Sequence, residues 1–479
     1  MPIEAVPYTG RLFFIYSLLI PMPHMDIQQI LNGLQPQEAI KQLKQKSTVL
    51  PSWYGKGGLL EQYDPERHPV MDKQRYPDLV QQGTLVPVTR ITYDLQRLAT
   101  HRMTELICGI PVKRIYHSEN EEQKQAAQVM ERIFERNRID AVNIQRTNAL
   151  FASCEVMTLW YAVSEPNRQY GVQSPIKVRC RTFSPMQGDQ LYPLFDEYGD
   201  LQALSVGYTR RVGNKDITYL DCYTRDRHIK YSGEEQWHVE ADEPISLQKI
   251  PGVYCYRPTP IWENTSRLVY EMEWAISRNG NYLRENSKPL FVVFADEEIA
   301  YGDEKPVDRE YRAVMQYPKG STAQYITWQQ AADNLKYYIS ELRQSFFTQL
   351  QLPDWSYESM KSTPMSGESR KQLFIDAQLK VKEEGGRLLE MFDREVNVVK
   401  AFAIAIMGEQ YREAIESLNV EVIITPYQID DEATTINNLI TATGGKPILS
   451  QLEAIEQLGW STDPEKTYQQ IVDEQNGLM

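Results

Sequence analysis

The 479-residue chain lacks the patterns on which most catalytic chemistry depends. It contains no G-x-S-x-G and no H-E-x-x-H, so neither a nucleophile elbow nor a paired-histidine zinc helix is encoded. Gly444-Gly445-Lys446 runs into Pro447 instead of Ser or Thr, which makes it a turn and not a phosphate loop. Five cysteines (108, 154, 180, 222 and 255) are scattered without a C-x-x-C pair, as expected of reduced thiols and not of a secreted disulfide framework. Cys222 and His228 are close in sequence, but nothing completes a metal set, and both are expected to be ordinary strand residues. The six histidines are spread without partners in the sequence and are assigned plain surface or core roles. The expectation is therefore no catalytic residue, no metal and no cofactor.

Basic charge is also scarce. Lys and Arg number 51 against 65 Asp and Glu, a formal net charge of −14, which argues against the basic patch of a tight DNA binder. Long apolar runs are missing. Leu12–Ile20 is too short for a bilayer span, which needs ~20 residues. Only Arg11 precedes it, and Pro21, Pro23 and His24 come after it in place of a small-residue cleavage site, so neither a membrane anchor nor a secretory signal is expected. Met25 opens a polar stretch, and residues 1–24 are expected to be an upstream extension or an arm docking on a neighbouring subunit.

What the chain does have is alternating organisation. Hydrophobic residues make up 42% and charged residues 24%, enough for several subdomains with their own cores. Residues 92–107 and 120–153 have helical patterns, the first stopped by Cys108-Gly109-Ile110-Pro111. The period then changes: 158–163, 177–183, 201–208 and 217–223 are expected to form an antiparallel meander, with Leu204, Val206 and Tyr208 on one face. From Glu263 to Glu285, Leu268, Met272, Ile276 and Leu283 form an amphipathic stripe ended by Lys288-Pro289. Beyond it lies a compact insert, and the capping box Thr327–Gln330 opens a second helix with Ala332, Leu335, Ile339, Leu342, Phe346 and Leu350 on one face.

The most informative stretch runs from Leu350 to Met407. Pro353 and Pro364 enforce a loop, Ser366 is placed to cap a long helix, and Phe374, Ala377, Val381, Leu388, Phe392, Val399, Phe402 and Ile406 recur at helical spacing. The helix would run for roughly 40 residues, about 60 Å at ~1.5 Å per residue. Gly385-Gly386 in its middle costs ~1 kcal/mol per glycine relative to alanine, so the pair is expected to mark a kink, with close packing of a neighbour as the alternative. A strand near 420–425 and three short helices close the chain, two of them announced by the capping box Ser450–Glu453 and by Asp463-Pro464.

In order, N-A-L-F-A-S-C-E-V near 148, N-T-S-R-L-V-Y-E-M-E-W near 264 and the loop-helix segment resemble the portal proteins of tailed double-stranded-DNA bacteriophages. The resemblance runs from about Thr92 to the C-terminus. It implies an α+β, mostly helical fold divided as wing (25–262, helices plus antiparallel sheet), stem helix 1 (263–287), small α/β clip (288–326), stem helix 2 (327–351), tunnel loop (352–365), long wing helix and return strand (366–428), and helical crown (429–479). It also implies a homo-oligomeric ring of about twelve subunits at one capsid vertex, assembled in the bacterial cytoplasm. That ring would work as the channel for DNA packaging and ejection. Its expected partners are double-stranded DNA, the terminase large subunit, major capsid and scaffolding proteins, and head-tail connector proteins.

The resemblance places Asp354, Trp355, Tyr357, Glu358 and Lys361 in the channel, in weak non-specific contact with DNA. In the clip, Glu297, Asp303, Lys305, Arg309 and Arg312 are expected to serve subunit and terminase contacts, since complementary charges suit a head-to-tail interface. A ring-forming connector or minor capsid protein is the alternative. A DNA-processing enzyme stands further off, because the Glu358–Lys361 spacing is one residue too long for a nuclease carboxylate-lysine set.

Overall fold

The structure, a computed structural model, describes residues 27–46, 48–81, 83–233, 236–286, 290–294, 322–326, 332–354, 375–427, 432–444, 447–461, 463–475 and 477. Short helices α1 (Ile27–Gly33), α2 (Pro36–Leu43) and α3 (Leu59–Tyr63) precede a hairpin of β1 (Leu79–Gln81) and β2 (Thr84–Val86). Helix α4 (Leu95–Cys108), strand β3 (Lys113–His117) and helices α5 (Glu121–Arg136) and α6 (Ile139–Ser153) are next along the chain. An all-β stretch then holds β4 (Glu155–Asn167), β5 (Ser174–Phe183), β6 (Gln190–Phe195), β7 (Leu201–Val212), β8 (Lys215–Tyr223), β9 (Arg227–Ser232), β10 (His238–Pro244) and β11 (Gly252–Tyr256). It leads into helix α7 (Ser266–Asn286), the hairpin β12 (Leu290–Phe294) with β13 (Thr322–Ile326), and helix α8 (Ala332–Gln349). The long α9 (Ile375–Met407), a short α10 (Arg412–Ser417), strand β14 (Asn419–Ile423) and helices α11 (Glu432–Thr443), α12 (Gln451–Leu458) and α13 (Pro464–Gln475) end the chain. The caps expected at Thr327 and Ser366 lie outside the described residues.

The chain divides into two compact units, one of residues up to 53, 107–260 and 382–427, the other of 54–106, 261–381 and 428–479. In the first, the four strands anticipated as one meander belong to two sheets. β4 and β5 pair within a three-stranded sheet ordered β11-β4-β5, while β7 and β8 sit in a five-stranded meander, β10-β9-β8-β7-β6. Strand alternation explains how the larger sheet is covered on both sides. Ala203, Leu220, Cys222, Ile229 and Tyr231 pack under Ile30, Ala39, Ile40 and Leu43 of α1 and α2. On the opposite face, Leu191, Leu204, Val206 and Tyr223 meet Met157, Leu159, Phe183 and Tyr254 of the smaller sheet. Gly252 lies at that contact, where a Cβ would stand 2.6 Å from Leu204 Cδ2.

In the second unit, α7 has a buried face unlike the expected stripe. Val269, Met272, Glu273 and Ser277 are buried, while Leu283 is 48% exposed. The cause is an extended segment, residues 87–93, laid along the helix with no strand partner for its amides. Tyr93 N–H donates to Glu273 Oε1 (2.8 Å), Ile91 N–H to Ser277 Oγ (2.9 Å) and Thr89 N–H to Asn281 Oδ1 (2.6 Å). Arg284 Nη1 adds a bond to the Pro87 carbonyl at 2.9 Å. Alternate residues of an extended chain thus meet side chains spaced four apart on a helix, each satisfying a backbone donor that burial would otherwise orphan. Gly280 sits under this strap, where a Cβ would come within 2.9 Å of Thr89 Cγ2.

His68, expected to lack a partner, is fully buried at the same helix. Its Nδ1 lies 2.7 Å from Glu273 Oε1 and its Nε2 2.9 Å from the Gln62 carbonyl. A carbonyl only accepts, so Nε2 carries a proton. His117 and His228 also have acidic partners, Glu421 at 3.3 Å and Asp221 at 3.6 Å.

Candidate functional site

The end of α8 is tightly determined. Leu335, Ile339 and Leu342 are half-buried and Phe346, Phe347 and Leu350 buried, so one face of α8 is committed to packing. The helix stops because Gln351 takes a left-handed conformation (φ 55°) and Leu352 N–H turns back to the Phe347 carbonyl at 3.0 Å, a Schellman closure. Leu352 is then buried and Pro353 forbids further helix.

Asp354 is the next residue, and its carboxylate is held by two arginines. Arg343 donates from Nε to Oδ2 (2.9 Å) and from Nη2 to Oδ1 (3.4 Å). Arg102 of α4 donates from Nη1 to the Pro353 carbonyl (3.0 Å) and reaches Asp354 Oδ1 from Nη2 at 3.5 Å. Both guanidinium groups stand over the Phe347 ring, 4.8 and 5.7 Å from its centroid. Burial pushes the pKa of Arg102 below its ordinary value, and the Asp354 charge opposes that shift. Asp354, expected to face DNA in the channel, is 20% exposed at the side chain and engaged with both arginines. Trp355, Tyr357, Glu358 and Lys361 lie outside the described residues, as do Glu297, Asp303, Lys305, Arg309 and Arg312.

The long helix carries a second set of charges. Arg146 on α6 makes a bidentate pair with Glu395 on α9 (2.6 and 2.7 Å), both fully buried. Asn143 Oδ1 accepts from the same arginine at 2.6 Å, and Trp160 Nε1 donates to Glu395 at 3.1 Å. Nearer the start of the helix, Glu384 accepts from Arg257 at 2.7 Å. The sequence held a signal for both acids. The apolar series 377, 381, 388, 392, 399, 402, 406 has gaps that 384 and 395 fill at helical spacing, so carboxylates stand where the core face demands burial.

Gly385 and Gly386 lie within this helix, and α9 is continuous through them. Gly385 is buried with Ile424 Cδ1 3.9 Å from a Cβ position; Gly386 is exposed with nothing within 4 Å. The described residues therefore supply no steric reason for either glycine.

Among the described residues no cluster of three or more His, Cys, Asp or Glu is poised to hold a metal, and no helix is long and apolar enough to cross a membrane. All five cysteines are free.

The family model described as "Phage portal protein, SPP1 Gp6-like" matches residues 51–478. The chain belongs to that portal family. It is a structural family and not a catalytic one, and its place is the portal vertex of a virion capsid. Among curated proteins none matches. Among solved structures, a chain from the neck of an empty gene transfer agent particle, computed with C6 symmetry, is similar at 10% identity and a TM-score of 0.39, over 83% of this portal chain and 95% of that one. A chain of the native gene transfer agent virion is similar at 10% identity and a TM-score of 0.39, over 88% and 98% of the two. A third, from the native neck with C12 symmetry, has 12% identity and a TM-score of 0.36, over 76% and 88%. Likenesses this distant carry no argument; the family rests on the match over residues 51–478.

Proposed function

We propose that this portal protein assembles as a ring of about twelve copies whose central channel admits double-stranded DNA during packaging and releases it at ejection. The carrying observation is the extent of the family match, residues 51–478, which takes in α7, the β12–β13 hairpin, α8 and α9. In this reading α7 and α8 are the stem, the segment 288–326 is the clip that docks the terminase large subunit and later the head-tail connector, and residues 352–365 form the tunnel loop. Scaffolding and major capsid proteins would meet the wing in the bacterial cytoplasm, where the head assembles. The net charge of −14 per copy favours passage over grip, because an acidic wall repels the phosphate backbone. Trp355, Tyr357, Glu358 and Lys361 would touch DNA without sequence readout, and Glu297, Asp303, Lys305, Arg309 and Arg312 would serve subunit and terminase contacts.

Negative-stain electron microscopy with native mass measurement tests the assembly. Rings with a central hole are expected; a stable monomer or dimer at micromolar concentration would remove the channel reading. Trp355→Ala in a packaging reaction tests the loop: DNA length and retention identical to wild type would take residues 352–365 out of the mechanism.

A further inference from the structure

We propose that Asp354 is a positioning residue: clamped by Arg102 and Arg343, it fixes where the tunnel loop leaves the second stem helix, and it ties that point to α4. The assignment rests on the reading of residues 352–365 as the channel loop, but the clamp itself is geometric and has its own readout.

Three constraints meet within four residues. Gln351 in the left-handed region and the Leu352-to-Phe347 hydrogen bond set the direction in which the chain leaves α8. The buried Leu352 side chain anchors the exit in the core. Arg102 then grips two successive residues, the Pro353 carbonyl and the Asp354 carboxylate, while Arg343 takes the same carboxylate through two nitrogens. A planar guanidinium meeting a carboxylate through two nitrogens fixes orientation as well as distance, which a lysine would not do.

Charge makes the arrangement demanding. The Arg102 side chain is 6% exposed and its Nη2 lies 3.5 Å from the Asp354 carboxylate, so replacing that carboxylate takes a charge partner from a nearly buried cation. Arg343 is 40% exposed at the side chain and solvent can replace its partner, so the Arg102 arm is the stringent one. Arg102 belongs to α4 and Arg343 to α8, and both stack on Phe347. A displacement of α4 against α8 would therefore act on Asp354 before it acts on anything further along the loop. Such a contiguous chain of packed and hydrogen-bonded groups is the kind of element that carries mechanical coupling.

The test uses assembled rings of the full chain carrying Asp354→Asn, Asp354→Glu, Arg343→Gln or Trp355→Ala. Hydrogen exchange is followed on peptides spanning 350–358, and retention of packaged DNA is measured in parallel. The expectation for Asp354→Asn is intact rings, exchange of the Leu352 amide faster by about tenfold, the scale of losing charge-assisted hydrogen bonds, and reduced DNA retention. Asp354→Glu should stay near wild type, because the charge is kept. Arg343→Gln, which leaves the Arg102 arm in place, should show a smaller effect in the same direction, and it supplies the readout if Asp354→Asn fails to fold.

Unchanged exchange in both the asparagine and the glutamine variants overturns the clamp, whatever happens to DNA. Faster exchange with normal retention, while Trp355→Ala impairs retention, overturns the positioning role and leaves the loop reading standing. Normal retention in Trp355→Ala as well as Asp354→Asn overturns the loop reading itself, and the positioning role with it.

Discussion

Two buried helix faces, on α9 and on α7, solve the same problem in opposite ways. On α9 the core face is apolar except at Glu384 and Glu395, and each carboxylate is met by an arginine from elsewhere in the chain. On α7 the positions 273, 277 and 281 are all polar, and they receive backbone amides of the strap 87–93. The first arrangement concentrates the energetic risk in two buried carboxylates and their arginines. The second distributes most of it over several bonds, each with one main-chain and one side-chain partner, with Glu273 also meeting the buried His68. A buried ion pair is costly to break because one charge is left behind, whereas a lost side-chain acceptor for one amide costs about 1–3 kcal/mol. The comparison predicts that α9 fails at a point and α7 fails gradually.

The largest effect is expected at Arg146. Replacing it with methionine leaves Glu395 buried with the Trp160 indole at 3.1 Å and Arg114 3.6 Å away, and should cost about 3–5 kcal/mol in urea unfolding. Adding Glu395→Leu should recover only part of that loss, because the under-paired carboxylate is gone but the buried Arg114 then loses its own acidic partner. If the single change costs no more than a surface substitution, α9 does not depend on point contacts and the contrast with α7 collapses.

The two helices were also unequally legible. Periodicity located α9 and its apolar positions from Ala377 to Ile406, since a long stripe averages over many residues, while Phe374 lies outside the described residues. It passed over Glu384 and Glu395 because an acid counts against a core position, although the regular spacing of the gaps marked both. For α7 the stripe 268, 272, 276, 283 holds at Met272, is one residue early at 268 and 276, where Val269 and Ser277 are the buried residues, and fails at the exposed Leu283. Partners for Glu273, Ser277 and Asn281 come from residues about 180–190 positions earlier, and no local window sees them. The same blindness hid the partners of His68 and Asp354, joined across 205 and 252 positions to Glu273 and Arg102. Local chemistry did better: Ser450 and Glu453 form the reciprocal capping box that their spacing implies. Strand β10, His238–Pro244, escaped notice because its run of acids is typical of a protected edge strand and not of a core one.

On α7 the sharper test is steric. Gly280→Ala places a methyl 2.9 Å from Thr89 Cγ2 and should cost about 1–3 kcal/mol as the strap is pushed off. Combining it with Thr89→Ser, which removes that methyl, should relieve much of the loss in thermal unfolding. Ser277→Ala takes away the acceptor for one amide, Ile91, and should cost only about 1 kcal/mol. A loss as large as that of Arg146→Met would show that the strap detaches as a unit, and the two faces would then differ less than their chemistry suggests.

The smallest effect has the opposite sign and separates the chain's own needs from those of its assembly. Gly386 is exposed on α9 with nothing within 4 Å of a Cβ position, so Gly386→Ala should stabilise the isolated chain by about 0.5–1 kcal/mol through helix propensity. Thermal unfolding of the unassembled protein measures that gain, and negative-stain microscopy of the same variant measures ring formation. A gain in stability with full rings would mean that the glycine serves neither a kink nor a neighbour. A gain accompanied by loss of rings would place a second copy against this stretch of helix, because none of the described residues of the single chain stands close enough to object to one added methyl group.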